Sequence, residues 1–218
     1  MKRWFAFVLA LVVAFSATPA TAATPADTLV MAWQFDDIIT LDPAEIFEFS
    51  GAEYAGNTYD RLIGYEVDDV SKIYGVAAES WTVSPDGKTY TFTLRECSWS
   101  DGTPMTAHDF VFSMQRILDP ATAAEYASLL YIIEGAEAVN KGEAKPESLS
   151  VKAIDDRTLE IKLTGPAPYF LALLTHYTAY PVPKHVIEKV GKEWTKPQNM
   201  VVNGPYKLVE WIPNTHVK

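Results

Sequence analysis

The sequence predicts a mixed fold of helices and strands, an α/β chain of the α+β kind, from three observations. Apolar residues alternate with polar ones from Thr89 to Arg95, which is the period of a strand with one buried face. Apolar residues recur at helical spacing from Phe110 to Leu118, after a capping box of Thr106 and Asp109. Ser150 to Leu163 alternates again, as a hairpin does. Because 48% of the residues are hydrophobic, the chain has enough apolar material for a core.

The first residues have the pattern of a secretory signal peptide, which we place at residues 1–23. Lys2 and Arg3 precede an apolar run from Trp4 to Phe15, and small residues follow at Ala20–Ala22. The apolar run is shorter than the roughly 20 residues of a spanning helix, although an N-terminal membrane anchor is the alternative. No cysteine stands at the cleavage position to carry a lipid. We therefore expect a protein that diffuses freely in the periplasm.

Short elements follow the leader. Thr28 to Trp33 is predicted to form a strand, and Thr40–Pro43 a turn that can start a short helix. Phe47–Phe49 lies in a predicted loop, and the acids between Tyr65 and Ile73 indicate an exposed turn. Ser84–Gly87 has proline second and glycine fourth, as a type I turn prefers.

The second half of the chain alternates predicted helices with turns and strands. The helix that begins after Thr106 is expected to end at Asp119, because a residue before proline disfavours helical backbone. Beyond it we predict, in order, a solvated connector at 136–148, a turn at 155–157, a short helix at 169–176, a crossover at 181–183, a helix at 185–190, a strand at 206–211, a turn at 213–214 and a return strand from 215.

Net charge excludes some partners. The chain carries a formal charge of -10, and without the leader 28 acidic residues face 16 basic ones, a charge of -12. A protein this acidic is repelled by nucleic acids and by anionic membrane surfaces. We therefore expect neither as a partner.

The sequence favours binding over catalysis. It contains no Gly-x-Ser-x-Gly elbow, no His-Glu-x-x-His pair and no phosphate-binding glycine loop. Its four histidines are scattered, its paired acids lie in predicted turns, and Cys97 is its only cysteine, which excludes an internal disulfide. We expect no catalytic residue, no metal and no cofactor.

A series of short motifs, kept in order along nearly all of the chain after the leader, resembles the family 5 solute-binding proteins of ABC importers, above all the oligopeptide- and dipeptide-binding members. The main motifs are Ala77–Trp81, Tyr90–Arg95, Trp99–Pro104, Ala107–Val111, Pro181–Lys184 and Asn203–Leu208. The resemblance implies a periplasmic binding protein-like fold of the large peptide-binding type. Residues 24–59 and 184–218 would be segments of its first lobe, and residues 60–183 an extra domain packed against it. The second lobe would lie beyond Lys218, so we expect a truncated chain.

The same resemblance implies a ligand site. Phe47, Glu48 and Phe49 correspond to a loop whose main chain pairs with the ligand, and Tyr126 to a ligand-contacting tyrosine. The alternative is that both phenylalanines are core residues, that Glu48 is a solvated turn residue and that Tyr126 is a packing aromatic. The acidic residue that holds a peptide's amino terminus in this family would lie in the absent lobe.

The function implied is that of the substrate-binding component of an ABC peptide importer. Two lobes would close on an extended peptide, and the complex would dock on a membrane permease with its ATPase subunits. We expect a monomer. Relatives on the same scaffold carry nickel complexes, haem, opines or sugars, and these remain alternatives. A secreted hydrolase is the alternative from another class.

Overall fold

The computed structural model describes residues 24–32 and 37–218, so the predicted signal peptide lies outside the described residues. Contacts divide the chain into Met1–Gln34 and Phe35–Lys218. In the first unit the predicted strand from Thr28 is wrong for its described residues, which form neither strand nor helix, and Trp33 lies outside them. Leu29 and Val30 are exposed. A strand needs a hydrogen-bonded neighbour, which the sequence pattern alone does not supply.

Residues 37–218 form a mixed structure of short helices and antiparallel strands. The α-helices are α1 Phe49–Thr58, α2 Ala107–Leu118, α3 Ala136–Asn140, α4 Phe170–Leu173 and α5 Lys184–Val190. The strands are β1 Ile63–Glu66, β2 Asp69–Gly75, β3 Ala78–Val83, β4 Thr89–Leu94, β5 Cys97–Ser98, β6 Pro104–Met105, β7 Val151–Asp155, β8 Thr158–Lys162, β9 Trp211–Ile212 and β10 His216–Val217. Single 3-10 turns occur at Pro120–Thr122, Ala127–Leu130, Pro146–Ser148, Tyr177–Ala179 and Gly191–Thr195.

A four-stranded antiparallel sheet of order β3-β4-β8-β7 carries the larger core. Phe92 of β4 lies opposite Leu159 of β8, and both side chains are fully buried. Helix α2 packs on β7 and β8 and contributes Phe110 and Met114 to the same cluster. The alternation in the sequence therefore predicted the buried face of the sheet correctly.

Helix α2 begins and ends where the sequence predicted. Thr106 caps its N-terminus in a capping box, and the Thr106 N–H donates to Asp109 Oδ2 at 2.8 Å. The helix ends at Leu118, and Asp119 before Pro120 has extended backbone. The predicted hairpin of β7 and β8 and the predicted helix at α5 are confirmed as well.

A second buried cluster joins distant parts of the sequence. Its members are Leu41, Ile46, Ala55, Tyr59, Tyr180, Val182, Trp194, Met200, Val202 and Leu208. Most of them come from the two segments that the sequence analysis assigned to a first lobe. Tyr180 and Val182 precede the boundary placed at residue 184, and the division into 24–59 with 184–218 against 60–183 stays a prediction.

A buried ion pair ties this second cluster to α2. Arg116 donates to Asp42 through both guanidinium nitrogens, at 2.9 Å to Oδ1 and 2.5 Å to Oδ2. The Trp194 indole donates to the same carboxylate at 3.3 Å, and the Ala44 N–H at 3.0 Å. Because the Asp42 carboxylate has four donors around it, its charge is stabilised although only 4% of its side chain is exposed.

The Asn203–Gly204 pair holds the chain at the end of α1. The Asn203 side chain accepts from the Asp60 N–H at 3.1 Å and donates to the Asp60 carbonyl at 2.9 Å. The Gly204 N–H donates to the Thr58 carbonyl at 2.9 Å. A Cβ at Gly204 would lie 2.6 Å from that same carbonyl oxygen. Glycine is therefore required here by close backbone approach.

Two further expectations need correction. The strand predicted at 206–211 is wrong over most of its length: only Trp211 of these residues lies in a strand, paired with the return strand at His216–Val217. Tyr206 and Val209 are exposed, since the described residues place no ladder partner beside Tyr206. Thr40–Pro43 leads into a turn, closed by the Glu45 and Ile46 N–H groups on the Asp42 carbonyl, but no helix starts there. Within the described ranges, no helix is both long and apolar enough to cross a bilayer.

Candidate functional site

The segment before α1 presents two aromatic rings to solvent. Phe47 is 50% exposed and Phe49 is 63% exposed, whereas Ile46 next to them is buried in the second cluster. The interpretation of these phenylalanines as core residues is therefore wrong. Whether they contact a ligand stays a prediction.

Glu48 is held in place rather than free in a solvated turn. Its residue is half-buried, with Oε1 accepting from the Ile39 N–H at 3.1 Å and Oε2 from the Phe47 N–H at 3.2 Å. A Cβ at Gly51, in the first turn of α1, would lie 2.5 Å from Glu48 Oε1. Glycine at this position leaves the space that the carboxylate occupies.

Tyr126 belongs to a cluster of three rings. It is 38% exposed, and it meets His176 nearly edge-on at 5.6 Å and Tyr177 at 6.1 Å between ring centroids. The His176 and Tyr177 rings lie 4.0 Å apart, with 33° between their planes. We call Tyr126, His176 and Tyr177 the aromatic cluster. Edge-to-face and offset arrangements at these distances are the favourable ones for aromatic rings.

Local hydrogen bonds fix the His176 ring. Its Nδ1 accepts from the Thr178 N–H at 3.4 Å and lies 3.1 Å from the Thr178 hydroxyl, which caps the 3-10 turn Tyr177–Ala179. Burial lowers the pKa of His176 below its ordinary value. The imidazole is therefore neutral at neutral pH, and with Nδ1 accepting, its proton is on Nε2.

The turn Tyr177–Ala179 is where the predicted site residues come together. Helix α1, whose N-terminus is preceded by Glu48, packs against this turn, and so does the turn Ala127–Leu130 that follows Tyr126. The pKa of Tyr177 is raised to about 12, mainly by burial and further by Tyr126 and Glu48. The structure thus brings Glu48 and Tyr126 to one turn.

Sequence reasoning missed His176 and Tyr177. They follow a short apolar helix and have no partner at helical or strand spacing, so no local pattern marked them. The only signal was an unusual density of aromatic residues between Tyr169 and Tyr180.

The other three histidines each face a single carboxylate. His185 Nε2 lies 2.8 Å from Asp101, His216 Nε2 lies 3.0 Å from Glu210, and His108 Nε2 lies 3.6 Å from Asp156. Hydrogen bonds from the Thr103 N–H and from His185 lower the pKa of the Asp101 carboxyl, although its burial acts in the opposite direction. One carboxylate beside one imidazole is an ordinary surface pair.

Antiparallel sheet, covering helix and two buried clusters are features of a binding-protein segment, and comparison with known proteins gives the class. The model of the bacterial extracellular solute-binding proteins, family 5 (Middle), matches residues 72–218. The chain belongs to this family.

Relatives of known name are periplasmic binding proteins. The chain is 40% identical over 220 residues to the probable deoxycholate-binding periplasmic protein YgiS of Escherichia coli K12, covering 96% of this chain and 41% of that protein. It is 44% identical over 184 residues to the periplasmic oligopeptide-binding protein OppA of the same organism, covering 83% and 33%. The chain thus spans between a third and two-fifths of the length of these relatives.

Solved structures agree with this assignment. The Escherichia coli murein tripeptide binding protein MppA superposes with a TM-score of 0.79 at 37% identity, covering 84% of this chain and 36% of that one. Haemophilus influenzae OppA in complex with RPPGFSPFR superposes with a TM-score of 0.80 at 40% identity, again covering 84% and 36%. The observed fold is therefore part of the peptide-binding type of periplasmic binding protein.

Proposed function

We propose that this chain is part of the periplasmic substrate-binding component of an ABC peptide importer. It binds extended oligopeptides or dipeptides between two lobes and delivers them to a membrane permease with its ATPase subunits. The observation that carries the proposal is the partly exposed aromatic cluster beside Glu48, on a chain of this family.

The site chemistry suits an uncharged main chain. Tyr126 offers a ring face to apolar groups and a hydroxyl to a peptide carbonyl or amide. Pairing with the ligand main chain gives affinity without selecting side chains, as when a strand is added to a sheet. Relatives named as oligopeptide-binding proteins support this assignment.

The rest of the proposal follows from the same role. The protein works as a monomer, it is exported with residues 1–23 as a cleaved leader, and it does not alter its ligand chemically. The described residues supply one wall of the site. A ligand site normally buries most of the ligand surface, so a second wall is needed for tight binding.

Tyr126→Phe in the full-length protein tests the site. Loss of one hydroxyl contact should weaken peptide binding by about three- to tenfold, the usual range for a single hydrogen bond. Binding of short peptides is measured by calorimetry, and the thermal midpoint should stay nearly unchanged. Tyr74→Phe, on a β-hairpin, is the matched control. Unchanged affinity in Tyr126→Phe would remove this residue from the site.

Labelled peptides test the function itself. After incubation with the full-length protein, peptides should be recovered intact, since a carrier holds its ligand and does not cleave it. Recovery of fragments would identify a hydrolase instead. A wild-type protein that binds no short peptide would contradict the proposed function.

A second candidate function is the binding of deoxycholate or a similar steroid. It rests on the similarity to YgiS, which covers 96% of this chain. Titration with sodium deoxycholate beside the peptides separates the two candidates. Binding of deoxycholate with no binding of peptides would favour this second candidate.

A further inference from the structure

We propose that the aromatic cluster is a subsite for a flat apolar group of the ligand, and that Tyr177 determines this preference. The inference rests on the proposed function, which it makes more specific. The same chemistry is offered by two sources, an aromatic side chain of a peptide or the ring system of a steroid.

The arrangement of the three rings carries the proposal. His176 and Tyr177 are 4.0 Å apart and only 33° from parallel, so together they form one extended aromatic surface. Tyr126 stands at 71° and 79° to these two rings and forms the second side of an angle. An angle lined by rings on both sides offers a guest ring one stacked and one edge-on contact at once.

Partial burial shows that this angle is not filled by the chain itself. Tyr126 keeps 38% of its surface exposed, and His176 and Tyr177 are only half-buried. Phe47 and Phe49, on the segment that also holds Glu48, are more exposed still. Solvent-exposed aromatic surface grouped in this way is typical of a binding site rather than of a core.

Charge at the cluster favours a neutral guest. The Tyr177 hydroxyl keeps its proton, since its pKa is raised to about 12, and His176 is neutral because burial lowers its pKa. Both oxygens of the Glu48 carboxylate are already paired with backbone N–H groups. The cluster therefore presents rings and hydroxyl or imidazole N–H donors, with no cation for an anionic group to bind.

Tyr177 joins the parts of the cluster. Its ring contacts both other rings, and its hydroxyl lies in the field of Glu48. Removing Tyr126 would leave the His176–Tyr177 surface, whereas removing Tyr177 takes away one side of the angle. Tyr177 is therefore the position at which side-chain preference is set.

Tyr177→Ser in the full-length protein is the test. Wild type and variant are titrated with an alanine tripeptide, with the three tripeptides that carry one phenylalanine, and with sodium deoxycholate. We expect wild type to bind at least one phenylalanine tripeptide about tenfold more tightly than the alanine tripeptide. The variant should lose this preference while its affinity for the alanine tripeptide stays within about twofold. Tyr169→Ser, an exposed tyrosine outside the cluster, is the matched control.

Failure of the inference differs from failure of the proposed function. Equal binding of all tripeptides by wild type, or a preference that survives in Tyr177→Ser, overturns the inference and leaves peptide binding intact. Deoxycholate binding that is weakened in the variant, with no peptide binding, supports the subsite and contradicts the peptide function. Binding of neither ligand contradicts both. If Tyr177→Ser does not fold, Tyr177→Leu keeps the bulk without the flat ring and is expected to lose the same preference.

Discussion

At the scale of single residues, the Asp42–Arg116 pair is the most sensitive point of the fold. Only 4% of the Asp42 side chain and 18% of the Arg116 side chain are exposed. Arg116→Met would leave the carboxylate buried with its main partner removed. We expect the free energy of unfolding to fall by about 3–5 kcal/mol, measured by urea denaturation.

Lys141→Met is the control for this change. Lys141 pairs with Glu137 at 2.6 Å, but both side chains are more than half exposed, at 52% and 56%. Such pairs contribute about 0–1 kcal/mol. A loss in Arg116→Met no larger than in Lys141→Met would show that the buried pair does not hold the second cluster together.

The buried carboxyl of Asp109 gives stability a pH dependence. Burial raises its pKa, against the opposing effect of the Thr106 N–H. Above its ordinary pKa, the folded protein therefore keeps a proton that the unfolded chain releases, and stability falls as pH rises through this window. Asp109→Asn keeps an oxygen for Thr106 and removes the titration. We expect the variant to lose less stability between acidic and neutral pH, measured by urea denaturation across that range.

The competing result for Asp109 is simple to recognise. If wild type and Asp109→Asn show parallel stability curves over the same pH range, the carboxyl does not titrate differently in the folded and unfolded chain.

Residue-level expectations for the site could be formed only in part from the sequence. Glu48 and Tyr126 were found by resemblance, and the structure brings both to the turn Tyr177–Ala179. His176 and Tyr177 were missed, because their importance comes from contacts across the chain rather than from spacing. The exposure of Phe47 and Phe49 could not be predicted either, since an aromatic residue next to a helix start is equally compatible with a core.

At the scale of elements, the Asn203–Gly204 segment fixes the end of α1. Gly204→Ala would place a Cβ 2.6 Å from the backbone of Thr58. Overpacking against backbone costs about 1–3 kcal/mol, which we expect as a lower midpoint in urea. Gly56→Ala is a matched control, because nothing lies within 4 Å of its Cβ position and it is exposed within α1.

The two glycines should respond with opposite signs. Alanine in a helix interior is favoured over glycine by about 0.5–1 kcal/mol, so Gly56→Ala should be slightly more stable than wild type. A neutral Gly204→Ala would mean that the backbone approach at Thr58 relaxes freely.

Elements with local signals were predicted well, and those that depend on partners were not. The capping box of α2 and the turn at Ser84–Gly87 are encoded within a few residues, and both are present. Helix α1 was missed, because its sequence from Phe49 to Thr58 contains two glycines and a weak apolar stripe. The two-residue strands β5, β6, β9 and β10 exist only through pairing, which a sequence pattern cannot show.

At the scale of the whole molecule, export is the expectation that a mass measurement can test. We expect the protein from the periplasmic fraction to begin at Ala23 or Thr24, because small residues at Ala20–Ala22 suit a signal peptidase. Intact-mass spectrometry with N-terminal sequencing checks this. An uncut Met1 in membrane fractions would favour the N-terminal anchor instead.

The two clusters have different spans in the sequence, and this sets an order during translation. The cluster around the sheet is complete once Ala179 has left the ribosome. The other cluster needs Trp194, whose indole donates to Asp42, and is completed only by Leu208. Because a nascent chain packs whichever core has all its members available, the inner stretch of the polypeptide closes first. The early segment around Asp42 must then wait beside the emerging peptide until residues made much later return to it.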